Sequence, residues 1–168
     1  MPKTFLDTNI LAYAADRHDA ARRHAAADAL RRLAAACDLA VVSTQVLQEL
    51  YVTAVRKLHI EPAPARALIA SLRWAEIVLV DAELILEAAD LSAAARLSFW
   101  DALIVSAARK AGCTRLWSEV LSDGRTIAGV RIENPLKTPG AGTVREGSPG
   151  YGRPRQSRRL RAGAVGKA

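Results

Sequence analysis

Short apolar runs and amphipathic stretches alternate along most of the chain. Lys3–Leu6 is a brief apolar run that breaks off on Asp7, Thr8 and Asn9. Residues 18–36 are Ala-rich, carry Asp28 and Arg32 at an i,i+4 spacing, and predict a helix. A second apolar run at 39–42 is closed by Ser43 and Thr44, either of which can cap the helix that follows. That helix, over 45–58, sets Val46, Leu47, Leu50, Tyr51, Ala54, Val55 and Leu58 on one face. Pro62 and Pro64 reset the chain before a helix over 65–74. A strand over 76–80 and helices over 82–95 and 98–111 come next, the last one closed by Gly112. Runs at 114–117 and 129–132 complete five short strands. Strands alternating with helices predict an α/β fold, a parallel sheet with helices on both faces.

Charge divides the chain in two. Residues 1–136 hold 16 basic and 16 acidic side chains, whereas 137–168 hold eight basic residues and one acid, Glu146, so the net +7 lies entirely in the tail. The tail also contains seven of the ten glycines and three of the seven prolines. Such a composition buries too little apolar area to offset its ordering entropy. The expected organisation is therefore one domain over 1–136 and a disordered basic tail over 137–168.

The remaining features exclude several classes. No apolar run reaches the roughly 18 residues of a membrane helix, and Asp7 and Asn9 interrupt the only stretch resembling a signal peptide. Two cysteines, Cys37 and Cys113, are too few for a disulfide framework and read as reduced, buried, small hydrophobes of a cytoplasmic protein. His18, His24 and His59 have no convergent spacing and are expected on the surface. There is no phosphate-binding Gly-rich loop, zinc spacing or Gly-x-Ser-x-Gly elbow, which leaves nucleophilic side-chain catalysis without a candidate.

Three carboxylates stand out, each with an alternative. Asp7 follows a strand, where an open α/β sheet binds its ligands, although an Asp there can simply close a turn. Glu49 lies about 150° around its helix from the apolar face, beside Gln45 and Arg56, which fits either a solvated face or a polar cleft. Asp101 completes a capping-box pattern with Ser98. From Phe99 to Ala108, however, Asp101 and Ser106 are the only polar residues, so this helix is expected to be buried and its acid to need a partner, such as a metal. Two carboxylates about 4 Å apart repel by about 4 kcal/mol at an effective dielectric near 20, so a cluster of them calls for protons or a cation. Oxygen-only ligands favour Mg²⁺ or Mn²⁺.

Phe5-Leu6-Asp7-Thr8-Asn9, then Val46-Leu47-Gln48-Glu49-Leu50-Tyr51, then Phe99-Trp100-Asp101-Ala102-Leu103-Ile104 resemble the PIN-domain ribonucleases, and among them the toxins of VapBC toxin–antitoxin systems. The likeness runs from the N-terminus to about Pro135. It implies a Rossmann-like five-stranded parallel sheet of order 3-2-1-4-5 with the acids at the carboxyl ends of the strands. It also implies Mg²⁺ or Mn²⁺ on Asp7 and Asp101, Glu49 completing the acidic cluster, a homodimer, and an antitoxin that blocks the site. The activity expected is metal-dependent endoribonuclease cleavage, with Asn9 and Ser118 supporting the acids. The chain departs from the family after the fourth strand, where Ser/Thr-x-Asp is usual and Ser118-Glu119-Val120 stands here. Glu119 or Asp123 could replace that acid; Val120 cannot bind a metal. The alternative expectation is thus a weak or inert module that binds RNA or an antitoxin.

Overall fold

The structure, a computed structural model, describes residues 1–137. The basic tail expected beyond Lys137 lies outside the described residues.

The chain opens with β1 (Lys3–Leu6), which passes through Asp7 directly into α1 (Thr8–Ala15). This first helix was not expected. Its eight residues are too few and too apolar to show a period, since Thr8 to Tyr13 are all buried. What starts it is Asp7, whose side chain accepts the Thr8 amide as an N-cap. After α2 (Ala20–Ala35) come β2 (Leu39–Ser43), α3 (Thr44–Arg56) and α4 (Pro62–Ser71). A 3-10 turn at Leu72–Trp74 leads into β3 (Glu76–Val78), followed by α5 (Ala82–Ala95), α6 (Phe99–Lys110) and β4 (Arg115–Trp117). The chain ends as a hairpin of β5 (Thr126–Ile127) and β6 (Val130–Glu133).

The sheet has six strands in the order β3-β2-β1-β4-β6-β5, not five. All pairings are parallel except β5 with β6. The strand expected at 129–132 is β6; the added β5 is only two residues long and carries no alternation to read. It pairs because Ala128 and Gly129 both take positive φ (50° and 82°), the two-residue turn whose twist matches that of a hairpin.

Order along the sheet places the ligand-binding end. The chain steps outward from β1 to β2 to β3, then returns to add β4 on the other side of β1. Parallel crossovers are right-handed, so the connections on the two sides of that reversal lay their helices on opposite faces of the sheet. The crevice between the carboxyl ends of β1 and β4 is the switch point where such sheets bind ligands.

The core unites Phe5, Leu6, Val41, Val42 and Leu116 from the strands with Ile10, Val46, Leu50 and Ile104 from the helices. In α6, all seven residues from Ala102 to Ala108 are buried, as expected, but Phe99, Trp100 and Asp101 in its first turn are only partly buried. Three smaller expectations change. Asp28 pairs with Arg31 at i,i+3 rather than Arg32, which donates to the Pro135 carbonyl. Tyr51, placed on the apolar face of α3, is exposed. Cys113 is buried, but Cys37 is exposed, because it takes the left-handed conformation (φ 53°) that ends α2 and turns its side chain outward. The three histidines are exposed, as expected.

Candidate acidic site at the switch point

Asp7 lies at the carboxyl end of β1, 3% exposed, with its amide bonded to the Trp117 carbonyl of β4. Three donors converge on its carboxylate: the Thr8 amide at 2.7 Å, Asn9 Nδ2 at 2.9 Å and Ser118 Oγ at 2.7 Å. A buried carboxylate with that many partners is fixed in orientation. Asn9 and Ser118 thus support Asp7, one from α1 and one from the residue after β4.

Thr8 connects the second acid. Its hydroxyl donates to Glu49 Oε2 at 2.9 Å, and Gln45, one turn earlier on α3, donates from Nε2 to Glu49 Oε1 at 2.9 Å. The helical position of Glu49 opposite the apolar face therefore points into the cleft. Gln45 is buried and also reaches the Trp100 carbonyl at 3.4 Å, which ties α3 to the first turn of α6. Gln45 and Thr8 are the links that sequence reading did not supply; only the fold reveals that their side chains bridge separate elements.

Asp101 follows Trp100 in the first turn of α6. Its carboxylate accepts the Ser98 hydroxyl at 2.6 Å, while its amide donates to Ser98 Oγ at 3.1 Å. The capping box is therefore present, in a form that uses the Ser98 hydroxyl. Among the described residues, no three His, Cys, Asp or Glu side chains already stand as a metal cage. Thr8 alone separates Asp7 from Glu49 in the hydrogen-bond network, whereas Asp101 bonds with Ser98.

Past β4, the chain turns on Ser118, whose Oγ accepts the amides of Val120 and Leu121, both at 3.2 Å. Val120, where an acid was expected, is 54% exposed. Asp123 is tied into the following loop by the Asn134 amide at 3.0 Å and Lys137 Nζ at 2.9 Å. The hydrogen bond from Lys137 holds its carboxyl below the usual carboxylate range. Glu119 turns toward α1 and α2, where it accepts from the Tyr13 hydroxyl and faces Arg22.

Comparison with known proteins bears on this fold directly: a family model described as PIN domain matches residues 4–122. The chain belongs to the PIN domain family. No curated protein matches it. Among solved structures, it is similar to VapC20 of Mycobacterium tuberculosis, described as a Sarcin-Ricin loop cleaving toxin. That match has a TM-score of 0.57 at 24% identity and covers 76% of this chain and 98% of the other. VapBC2 from Rickettsia felis, solved bound to a DNA fragment from its promoter, matches at TM-score 0.58 and 22% identity, covering 79% and 98%. A toxin–antitoxin complex from Klebsiella pneumoniae matches at 0.59 and 21%, covering 79% and 97%. At these identities the likeness establishes the shared PIN fold, with a mostly parallel sheet. No single helix among the described residues is long and apolar enough to cross a membrane.

Proposed function

We propose that this PIN-domain chain is a Mg²⁺- or Mn²⁺-dependent endoribonuclease and the toxin of a type II toxin–antitoxin pair. The observation that carries the reading is Asp7: a buried carboxylate at the switch point, fixed by three donors and joined through Thr8 to Glu49. Membership of the PIN family and the VapC neighbours support the choice of RNA as substrate.

The donor types suit a hard cation. Asp7, Glu49 and Asp101 offer only hard oxygens, and the threonine, asparagine and serine beside them are neutral, so nothing in the set competes for a hard cation. Asp7 and Asp101 would hold the ion. When bound, the ion acidifies a water and neutralises charge on the phosphoryl oxygens. Glu49, oriented by Thr8 and Gln45, would position or deprotonate the attacking water. In-line attack on phosphorus would break its bond to the 3′ oxygen, which takes up a proton from solvent, and leave 5′-phosphate and 3′-hydroxyl ends. Asn9 and Ser118 keep Asp7 from rotating. Cleavage of single-stranded or looped RNA should require Mg²⁺ or Mn²⁺, stop on chelation with EDTA and return with excess metal. Activity that persists in EDTA would overturn the mechanism.

Partners follow the same reading: RNA, a cognate antitoxin and a second copy in a homodimer. Tyr51 and Val52 on α3, Leu79 after β3, and Ile85 and Leu86 on α5 are large exposed apolar side chains of the kind a protein partner covers. Val120 favours a second reading, a weak or inert module that binds RNA or antitoxin without cutting. A large gain in cleavage by Val120→Asp would favour that reading of the natural chain.

A further inference from the structure

Three side chains adjoin the acidic site without belonging to it. Tyr13, at the buried face of α1 and 0% exposed, donates its hydroxyl to Glu119 Oε2. The other oxygen of Glu119 lies 3.5 Å from Arg22 Nη2 on α2. The guanidinium carbon of Arg22 stands 4.9 Å from the centroid of the Tyr13 ring. Glu119 is also anchored through its backbone, since its amide donates to Asn9 Oδ1 at 3.1 Å, and Asn9 holds Asp7. The guanidinium is thus positioned by a carboxylate, a ring face and a hydrogen-bonded route that ends on Asp7.

The distances matter. Arg22 has a second acid nearby, with Nε 3.8 Å from Asp19 Oδ2, so two long ion pairs orient the cation. They engage it through Nε and Nη2, and neither is the close fork of a bidentate pair. The side chain is 30% exposed. A planar, partly exposed cation beside the acidic site carries the fork of donors that suits a phosphate.

We propose that Glu119 and Tyr13 position Arg22 to bind a phosphate of the RNA next to the scissile one, so that Glu119 does not replace the missing metal-binding acid. This rests on the ribonuclease reading above. Arg22 is a binding residue, and Glu119 and Tyr13 are positioning residues.

The test measures binding rather than turnover. Affinity of the full chain for a fluorescein-labelled oligouridylate is followed by anisotropy in EDTA across a salt series. Mn²⁺ affinity is measured separately by the loss of the free-ion paramagnetic resonance signal. Arg22→Ala should weaken RNA binding about three- to tenfold and flatten the salt slope by about 0.7, the value for one single-strand phosphate contact. Arg22→Lys should recover the slope and only part of the affinity, because an ammonium cannot stack on the ring or bind in a fork. Glu119→Gln should leave Mn²⁺ affinity within about twofold, and the cost of Arg22→Ala should shrink in the Glu119→Gln or Tyr13→Phe background.

Unchanged affinity and slope in Arg22→Ala would overturn the proposal. So would full additivity in the double variants, or a loss of Mn²⁺ binding in Glu119→Gln as large as that in Asp7→Asn. Retention of Mn²⁺ binding by Asp7→Asn would instead defeat the ribonuclease reading, while the RNA comparison, made without metal, would still be decided.

Discussion

Asp7 has two roles that a single substitution separates. It caps α1 through the Thr8 amide, and it gathers Asn9 and Ser118 into a buried network. Asparagine caps a helix as well as aspartate does, but its amide nitrogen would face the Asn9 amide and a Ser118 Oγ that already accepts two backbone amides. Asp7→Asn should therefore keep the cap, cost about 1 kcal/mol through that network in urea unfolding, and lower RNA cleavage by about a hundredfold or more. Asp7→Ala removes the cap and strands the Asn9 and Ser118 donors, and should cost about 2 kcal/mol or more. Equal losses in the two variants would mean that the charge itself stabilises the fold. Cys113 offers a second measurement at this scale. Burial pushes its thiol up to about 12 from 9.0. Below pH 9 the folded and unfolded chains both keep the proton; above it only the unfolded chain ionises. Stability from this residue is thus present below pH 9 and lost as pH rises toward 12. The advantage of the natural chain over Cys113→Ala should shrink over that range in urea melts.

Elements are set by their ends in this chain. The helix starts at Asp7, Asp19, Ser43, Asp81 and Ser98 each place a side-chain oxygen on an early helical amide. Several of those residues are visible in the sequence, which is why α3, α5 and α6 were legible to within about two residues. The β5–β6 hairpin was not, because its turn lacks the usual signal. Ala128 occupies a left-handed position (φ 50°) that favours asparagine or glycine. Ala128→Asn should raise stability by about 0.5–1 kcal/mol, read as a higher urea midpoint with an unchanged slope. A lower midpoint would mean that the methyl group of Ala128 packs usefully where the strain argument assigns it only cost.

For the whole molecule, the dominant fact is the separation of charge. The PIN domain is close to neutral, while the residues after Lys137 add seven basic side chains against one acid. Phosphate contacts release counterions, so affinity for RNA falls with salt by about 0.7 per contact on a single strand. Truncation after Lys137 should lower that slope by about 0.7 for each tail residue engaged, and an unchanged slope would make the tail a bystander. Arg22 belongs to the domain and should keep its share of the slope in the truncated chain, which separates the two contributions.

The sequence by itself determined the α/β class and most of the strand and helix positions, because periodicity and capping are local properties, and it nominated the acids proposed for the site. Glu49 was ambiguous there, since a polar position opposite an apolar helix face has the same pattern whether it meets water or a cleft. Only the tertiary structure decided that Thr8 and Gln45 turn that face inward to the switch point. It likewise decided the fate of Glu119, which adjoins Ser118 in the chain yet faces Tyr13 and Arg22 across 106 and 97 positions of sequence. Such pairings depend on which strands lie side by side, and no local pattern carries that information.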